Sequence, residues 1–227
     1  MPASVHKAAL VLDLFSVERP DWGPTEVAEE LGIAKSTAHA LLTELSSVGL
    51  TERLPCGRYR LGWRTVELAR TKLATSGPLD AMTPTARQLA SHFGETVHIT
   101  AWERGRVLYV ASERPAGRVA APMEPVAAEL TPPGMVLLAE RAGDAGSGLP
   151  PGELERTRRR GYAVGAQQAL AGVECAAAPV RTSGGPATTA LALCAPRQRF
   201  QARREEYALA IAGAGKRLGR SIGGGSR

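Results

Sequence analysis

The stretch TEVAEELGIAKSTAHALLTELSSVG, from Thr25 to Gly49, constrains the fold of this chain more than any other. It carries two apolar stripes at helical spacing, Val27, Ala28 and Leu31 and then Ala38, Leu41, Leu42 and Leu45, on either side of Gly32. Glycine supplies the positive φ of a tight turn, so the pattern reads as two short helices about one corner, a helix-turn-helix. Thr25 is the expected N-cap of the first helix; the second is expected over Ala34–Val48, ended by Gly49. The second helix opens on Lys35, Ser36, Thr37 and His39, with Thr43 one turn beyond His39 on the same face. A major groove accepts such groups at a helix tip. Hydroxyls bond phosphate or base edges, and a lysine reaches phosphate or guanine.

The flanks extend the module. Ser4–Ser16 carries Val5, Ala8, Ala9, Leu12 and Phe15 at helical spacing and is followed by the breakers Pro20, Gly23 and Pro24. After Gly49, Leu50–Leu54 and Arg58–Leu61 read as strands joined by Pro55-Cys56-Gly57, a two-stranded wing. Arg58 and Arg60 alternate with Tyr59 and Leu61, so they are expected on one face, towards phosphate or the minor groove. The net charge of +6 supports this only once it is located. Residues 1–76 hold nine Lys/Arg against nine Asp/Glu, and the whole excess lies in residues 77–227. Within the N-terminal part the signs separate: residues 13–30 are acidic apart from Arg19, whereas residues 33–72 hold seven cations against three acids. That polarity suits a module with one face to phosphates.

A chain of 227 residues has room for a second domain. Arg64–Thr75 reads as a linking helix, with Trp63 packing it against the wing, and Ser76-Gly77-Pro78 as the clearest break. Beyond it come a helix over Pro84–Phe93 and a hairpin of Thr96–Trp102 with Arg106–Ala111 about Arg104-Gly105. Residues 115–134 are rich in Pro and Ala and poorly patterned. Helices are expected over Gly134–Arg141, Leu154–Arg160 and Gln201–Leu218, a loop over Ala142–Pro151, and strands over Tyr162–Val164, Val173–Val180 and Thr188–Cys194. Gly223–Arg227 reads as a tail. Strands flanked by helices make this an α+β domain. No run of about 18 apolar residues reads as a membrane span, and no signal peptide is recognised. Three scattered cysteines, Cys56, Cys175 and Cys194, argue against a disulfide framework and for a cytoplasmic protein. Cys175, in the apolar run VECAAAPV, reads as a small buried hydrophobe rather than a nucleophile, with a redox pairing to Cys194 as the alternative. His6, His39, His92 and His98 have no metal-ligand spacing. The run Arg156, Arg158, Arg159 and Arg160 reads as a solvated helix face. No catalytic residue, metal or cofactor is expected.

KAALVLDLF, TEVAEELGIAKSTAHALLTEL, GRYRLG, GETVHI, RRRGYAV and AGVECAAAPV together resemble, in order, the IclR family of bacterial transcription regulators. The resemblance implies an α+β chain with a winged helix-turn-helix domain at residues 1–62 and a linker helix at 63–77. A GAF-like effector-binding and oligomerisation domain would occupy 78–222, before the tail at 223–227. It also implies a homodimer or tetramer, acting as a repressor, on a palindromic double-stranded DNA operator. Two departures stand out. Ala40 follows the recognition-helix histidine where the family often has arginine. The family's pocket for a small carboxylate maps onto Thr131–Met135, Gly165, Cys175, Ala192 and Cys194, where only Thr131, Gly134 and Cys175 keep the expected chemistry. A desolvated carboxylate without bonded partners costs several kcal/mol. The expected effector is therefore larger or more apolar than a small carboxylate, the alternative being a sensor that has lost its ligand.

Overall fold

The computed structural model describes residues 3–75, 77–116, 118–122, 124–141, 148–150, 152–182 and 185–224. It forms two compact units, Met1–Thr75 and Ser76–Arg227. Ser76 of the expected break, most of the expected loop at 142–151 and the last residues of the expected tail lie outside the described residues.

The first unit contains helices α1 (Ala3–Asp13), α2 (Pro24–Leu31), α3 (Lys35–Ser47) and α4 (Arg64–Ala74), with strands β1 (Asp21–Trp22), β2 (Thr51–Arg53) and β3 (Tyr59–Leu61). Val11, Trp22, Val27, Ala38, Leu42, Leu45 and Tyr59 form its core. Helix α1 enters that core through Val11, while Val5 and Ala9 of the expected stripe are exposed. The N-cap of α2 is Gly23 rather than Thr25. Pro24 takes the first helical position, where its missing N–H goes unnoticed and its φ is already helical, and the Glu26 carboxylate accepts the Gly23 N–H at 2.7 Å. Gly32 turns the corner at φ 62°. The wing has three strands in the order β1-β3-β2, one more than expected. Strand β1 is held by pairing to β3 and by the Trp22 indole N–H, which donates to the Leu14 carbonyl at 2.9 Å.

The second unit runs α5 (Gly77–Phe93), β4 (Thr96–Glu103), β5 (Arg106–Glu113), β6 (Val126–Ala127), a 3-10 turn (Ala128–Leu130), α6 (Pro132–Ala139) and α7 (Glu153–Arg160). Then follow β7 (Ala163–Ala166), β8 (Val173–Val180), β9 (Thr189–Pro196), α8 (Arg197–Ala202) and α9 (Arg204–Gly224). The strands make one antiparallel sheet in the order β6-β5-β4-β9-β8-β7. Pro84 sits inside α5 instead of starting it, and the expected last helix is two helices. Arg104 and Gly105 both take positive φ, the two-residue turn whose twist matches a hairpin.

Strand alternation divides the sheet into two unlike faces. Val97, Ile99, Leu191 and Leu193 pack with Met82 and Phe93 of α5, Phe200, and Tyr207 and Ile211 of α9. The opposite face meets Val136 and Leu137 of α6 mainly with small side chains, Ala163, Ala177, Ala190, Ala192, Cys175 and Cys194. This face is also closed over. Gln167, just beyond β7, donates its amide N–H to the hydroxyl of Tyr109 on β5, four strands away in the sheet order. In a flat sheet those strands would stand about 19 Å apart. The contact therefore requires the sheet to curl around its alanine-lined side.

Candidate DNA-reading face and effector lobe

Helix α3 buries Ala38, Leu42 and Leu45 and leaves Lys35, Ser36, His39, Ala40 and Thr43 exposed, with Thr37 half-buried. The polar tip anticipated from the sequence is thus a solvent-facing stripe of one helix. The Thr43 hydroxyl lies 3.4 Å from that of Tyr59, which links the stripe to the wing. The wing arginines depart from expectation. Arg58 is paired with both Asp21 and Glu26, at 2.8 Å to the latter, and also donates to the Asp21 carbonyl at 2.9 Å. The Gly23 N–H, and then Arg58 and Arg19, hold the Glu26 carboxyl below its ordinary range. Arg58 thereby braces the wing to the start of α2, with its charge already answered by two carboxylates. Arg60 is paired with Glu52 across the β2–β3 ladder. The cations of this unit that have no ion partner among the described residues include Lys35 and Arg53 at the end of β2. Arg53 is absent from the expected reading set, because its uncommitted state depends on pairings made elsewhere in the wing.

The six positions expected to hold an effector lie around the alanine-lined face, but with altered chemistry. Thr131 is the buried N-cap of α6, and its hydroxyl oxygen accepts the Gly134 N–H at 3.0 Å. The Met135 N–H donates to the Thr131 carbonyl at 2.9 Å. Pro132 and Pro133 have no N–H to offer, so the first turn of α6 has no free amide for an anion. Gly134 is required by packing: a Cβ there would lie 2.1 Å from the Ala128 carbonyl oxygen. Gly165, Cys175 and Cys194 form one row across the sheet, with Ala192 in the next. Cys175 and Cys194 are directly opposed, with Cα atoms 4.2 Å apart, and are joined by a disulfide. This corrects the expectation of separate thiols. Sequence distance conceals that β8 and β9 are neighbours in register. Denatured without reductant, the chain is expected to take one alkyl group, on exposed Cys56, and three after reduction. Intact-mass spectrometry measures both.

Sequence reasoning missed the polar centre of this face. His98 on β4 stands beside Ala192, its Nδ1 2.7 Å from the Ser112 hydroxyl and its ring edge-on to Tyr109 at 5.2 Å. Burial, then the nearby charge of Arg114, lowers the His98 pKa to about 4. Burial raises that of Tyr109 to about 12, against the opposing pull of hydrogen bonds with Gln167 and Thr131. Among the described residues, two buried atoms here have no partner, His98 Nε2 and Gln167 Oε1. The available signal was the histidine between Val97 and Ile99 in a strand with both faces covered.

The same fold recurs in known proteins. The model of the IclR helix-turn-helix domain matches residues 4–55, and that of the IclR C-terminal domain of bacterial transcriptional regulators matches residues 151–218. The chain belongs to the IclR family. Its HTH-type relative XynR of Escherichia coli K12 is 26% identical over 84% of each chain. The glycerol operon regulatory protein of Streptomyces griseus is 27% identical over 87% of this chain and 86% of its own. An IclR-type regulator from Silicibacter sp. TM1040 superposes with a TM-score of 0.83 at 24% identity, covering 97% of this chain and 96% of the other. An IclR homologue from Microbacterium hydrocarbonoxydans, solved with 4-hydroxybenzoate, gives 0.77 at 22% identity over 97% and 99%. This IclR-family chain is accordingly a DNA-binding transcription regulator, with a helix-turn-helix reader and a C-terminal effector domain. No helix among the described residues is long and apolar enough to cross a membrane.

Proposed function

We propose that the protein is a cytoplasmic repressor that binds a palindromic operator as a homodimer and is released or retained by a small uncharged effector. The reading set is Lys35, Ser36, Thr37, His39 and Thr43 on α3, with Arg53 reaching phosphate from the wing and Arg60 exchanging Glu52 for phosphate. Arg58 fixes the geometry of the wing. The observation that carries this reading is the exposed stripe on α3 above a fully buried core stripe. Dimerisation is supported by α4, which buries none of its residues and exposes Val66 and Leu73, two turns apart on one face. A helix of 11 residues is marginal on its own in water, so an apolar face of this kind is stabilised by a partner helix. A disulfide is uncommon in the reducing cytoplasm, and burial of both bonded sulfurs is what would let this one persist there, since a reductant reaches them only when the sheet opens.

The test is binding to DNA from upstream of the protein's own gene, titrated against salt. Replacing Lys35 and Arg53 together by alanine is expected to flatten the slope of log K against log salt by about 0.9 for each phosphate no longer neutralised. Arg58→Ala is expected to lower the melting temperature of the N-terminal unit while leaving that slope nearly unchanged. An unchanged slope in the Lys35/Arg53 double variant refutes the assignment.

A further inference from the structure

The curled face holds mostly small side chains and, among the described residues, keeps its unpartnered hydrogen-bonding atoms at one place. Ala163, Ala177, Ala190 and Ala192 lie beneath α6, and a Cβ built on Gly165 would meet no atom within 4 Å. Against this apolar surround, His98 and Gln167 are essentially without solvent exposure, at 0% and 1%, and each keeps an unpartnered polar atom. They come from β4 and from the residue after β7, and meet through Tyr109, whose ring stacks edge-on with His98 and whose hydroxyl receives the Gln167 amide. A buried unsatisfied polar group is normally rare, and two about one tyrosine mark a place built for a third party. The alternatives are a ligand or a bridging water.

We propose that His98 Nε2 and Gln167 Oε1 are the recognition points of the effector lobe, and that they select an uncharged ligand carrying both a hydrogen-bond donor and an acceptor, as in a carboxamide. This rests on reading the lobe as effector-binding, and it names the class of effector. Gln167 Oε1 accepts only, so the ligand must donate to it. His98 can take either role at Nε2, because the Ser112 hydroxyl can rotate to give or take the proton at Nδ1. Among the described residues the groups that the family resemblance offers an anion are spent: the amides at the start of α6 are used or absent, and the sulfurs are bonded to each other. Of the cations nearby, Arg141 lies over the Trp102 ring at 4.6 Å and already donates to the Leu137 carbonyl at 2.8 Å.

The experiment compares matched amides and carboxylates on the full-length protein: benzamide with benzoate, and butyramide with butyrate. Affinity is measured by calorimetry and thermal shift on wild type, Gln167→Met and His98→Leu. The expected result is that at least one amide binds and raises the melting temperature while its carboxylate does not. Both variants should weaken that amide by about ten-fold or more, with apo stability little changed in Gln167→Met, where removal of an unpaired polar atom offsets the lost bond to Tyr109. Tighter binding of the carboxylates overturns the proposal while leaving effector sensing intact. So does full amide affinity in both variants. Absence of binding by every probe overturns the proposal, and operator binding that still responds to a cell metabolite extract would then preserve the sensing reading.

Discussion

Replacing Gly134 by alanine is expected to destabilise the C-terminal unit by about 3 kcal/mol, at the upper end for overpacking a close-packed interior. The reason lies in the approach of α6 to the 3-10 turn before it. A Cβ at residue 134 would stand 2.1 Å from the Ala128 carbonyl oxygen, 2.4 Å from its Cα and 2.6 Å from its carbonyl carbon. All three are backbone atoms, so no rotamer change relieves the clash. Helix α6 would have to move, and with it Val136 and Leu137 over the alanine face. The Thr131 cap on the Gly134 N–H would be broken in the same displacement. Because Gly134 and the N-terminal unit belong to different compact units, the N-terminal unit's own melting transition should be preserved. Differential scanning calorimetry resolves the two. A C-terminal transition unchanged in Gly134→Ala would show that α6 is free to shift at little cost.

The second large effect is a dependence on acid. His98 has a folded pKa of about 4 against an ordinary value of 6.5. The unfolded chain therefore binds a proton between those values that the folded chain refuses, and stability rises with pH across the window. The contribution is fully present above pH 6.5 and is lost progressively as the pH falls towards 4, amounting to roughly 3 kcal/mol at the end of the fall. The groups against His98 do not confuse the sign. Ser112 does not titrate, and Tyr109 stays neutral with its pKa raised to about 12. Denaturant unfolding of wild type and His98→Leu at intervals from pH 7.5 to 4 isolates the effect, since carboxylates common to both cancel. Parallel curves would contradict it.

The local features of the reader were legible in the sequence. Helices α2 and α3 follow from apolar periodicity and from one glycine whose backbone turns the corner, all within neighbouring residues. Strand β1 was not, because two residues between Pro20 and Gly23 become a strand only by pairing with β3. The role of Arg58 was hidden for the same reason: its partner Asp21 is 37 residues away, and alternation along a strand says which way a side chain points but not what it meets. The polar centre of the effector lobe was the least accessible of all. His98, Tyr109 and Gln167 belong to three separated segments, and their meeting depends on the curl of the whole sheet. The residue identities at Thr131, Gly134, Gly165, Cys175, Ala192 and Cys194, by contrast, were readable position by position, because an identity needs no distant pairing to be known.

The alanine lining has an effect on how this regulator can change. Ala163, Ala177, Ala190 and Ala192 are packed in one cluster with Val136 and Leu137 of α6, so the short side chains set how closely that helix can lie on the sheet. A valine at any of them would press two added methyl groups into a filled interior and lift α6 or strain its rotamers. The small residues are therefore a condition of closure on this side, and enlargement at any one position would have to be matched by a reduction opposite.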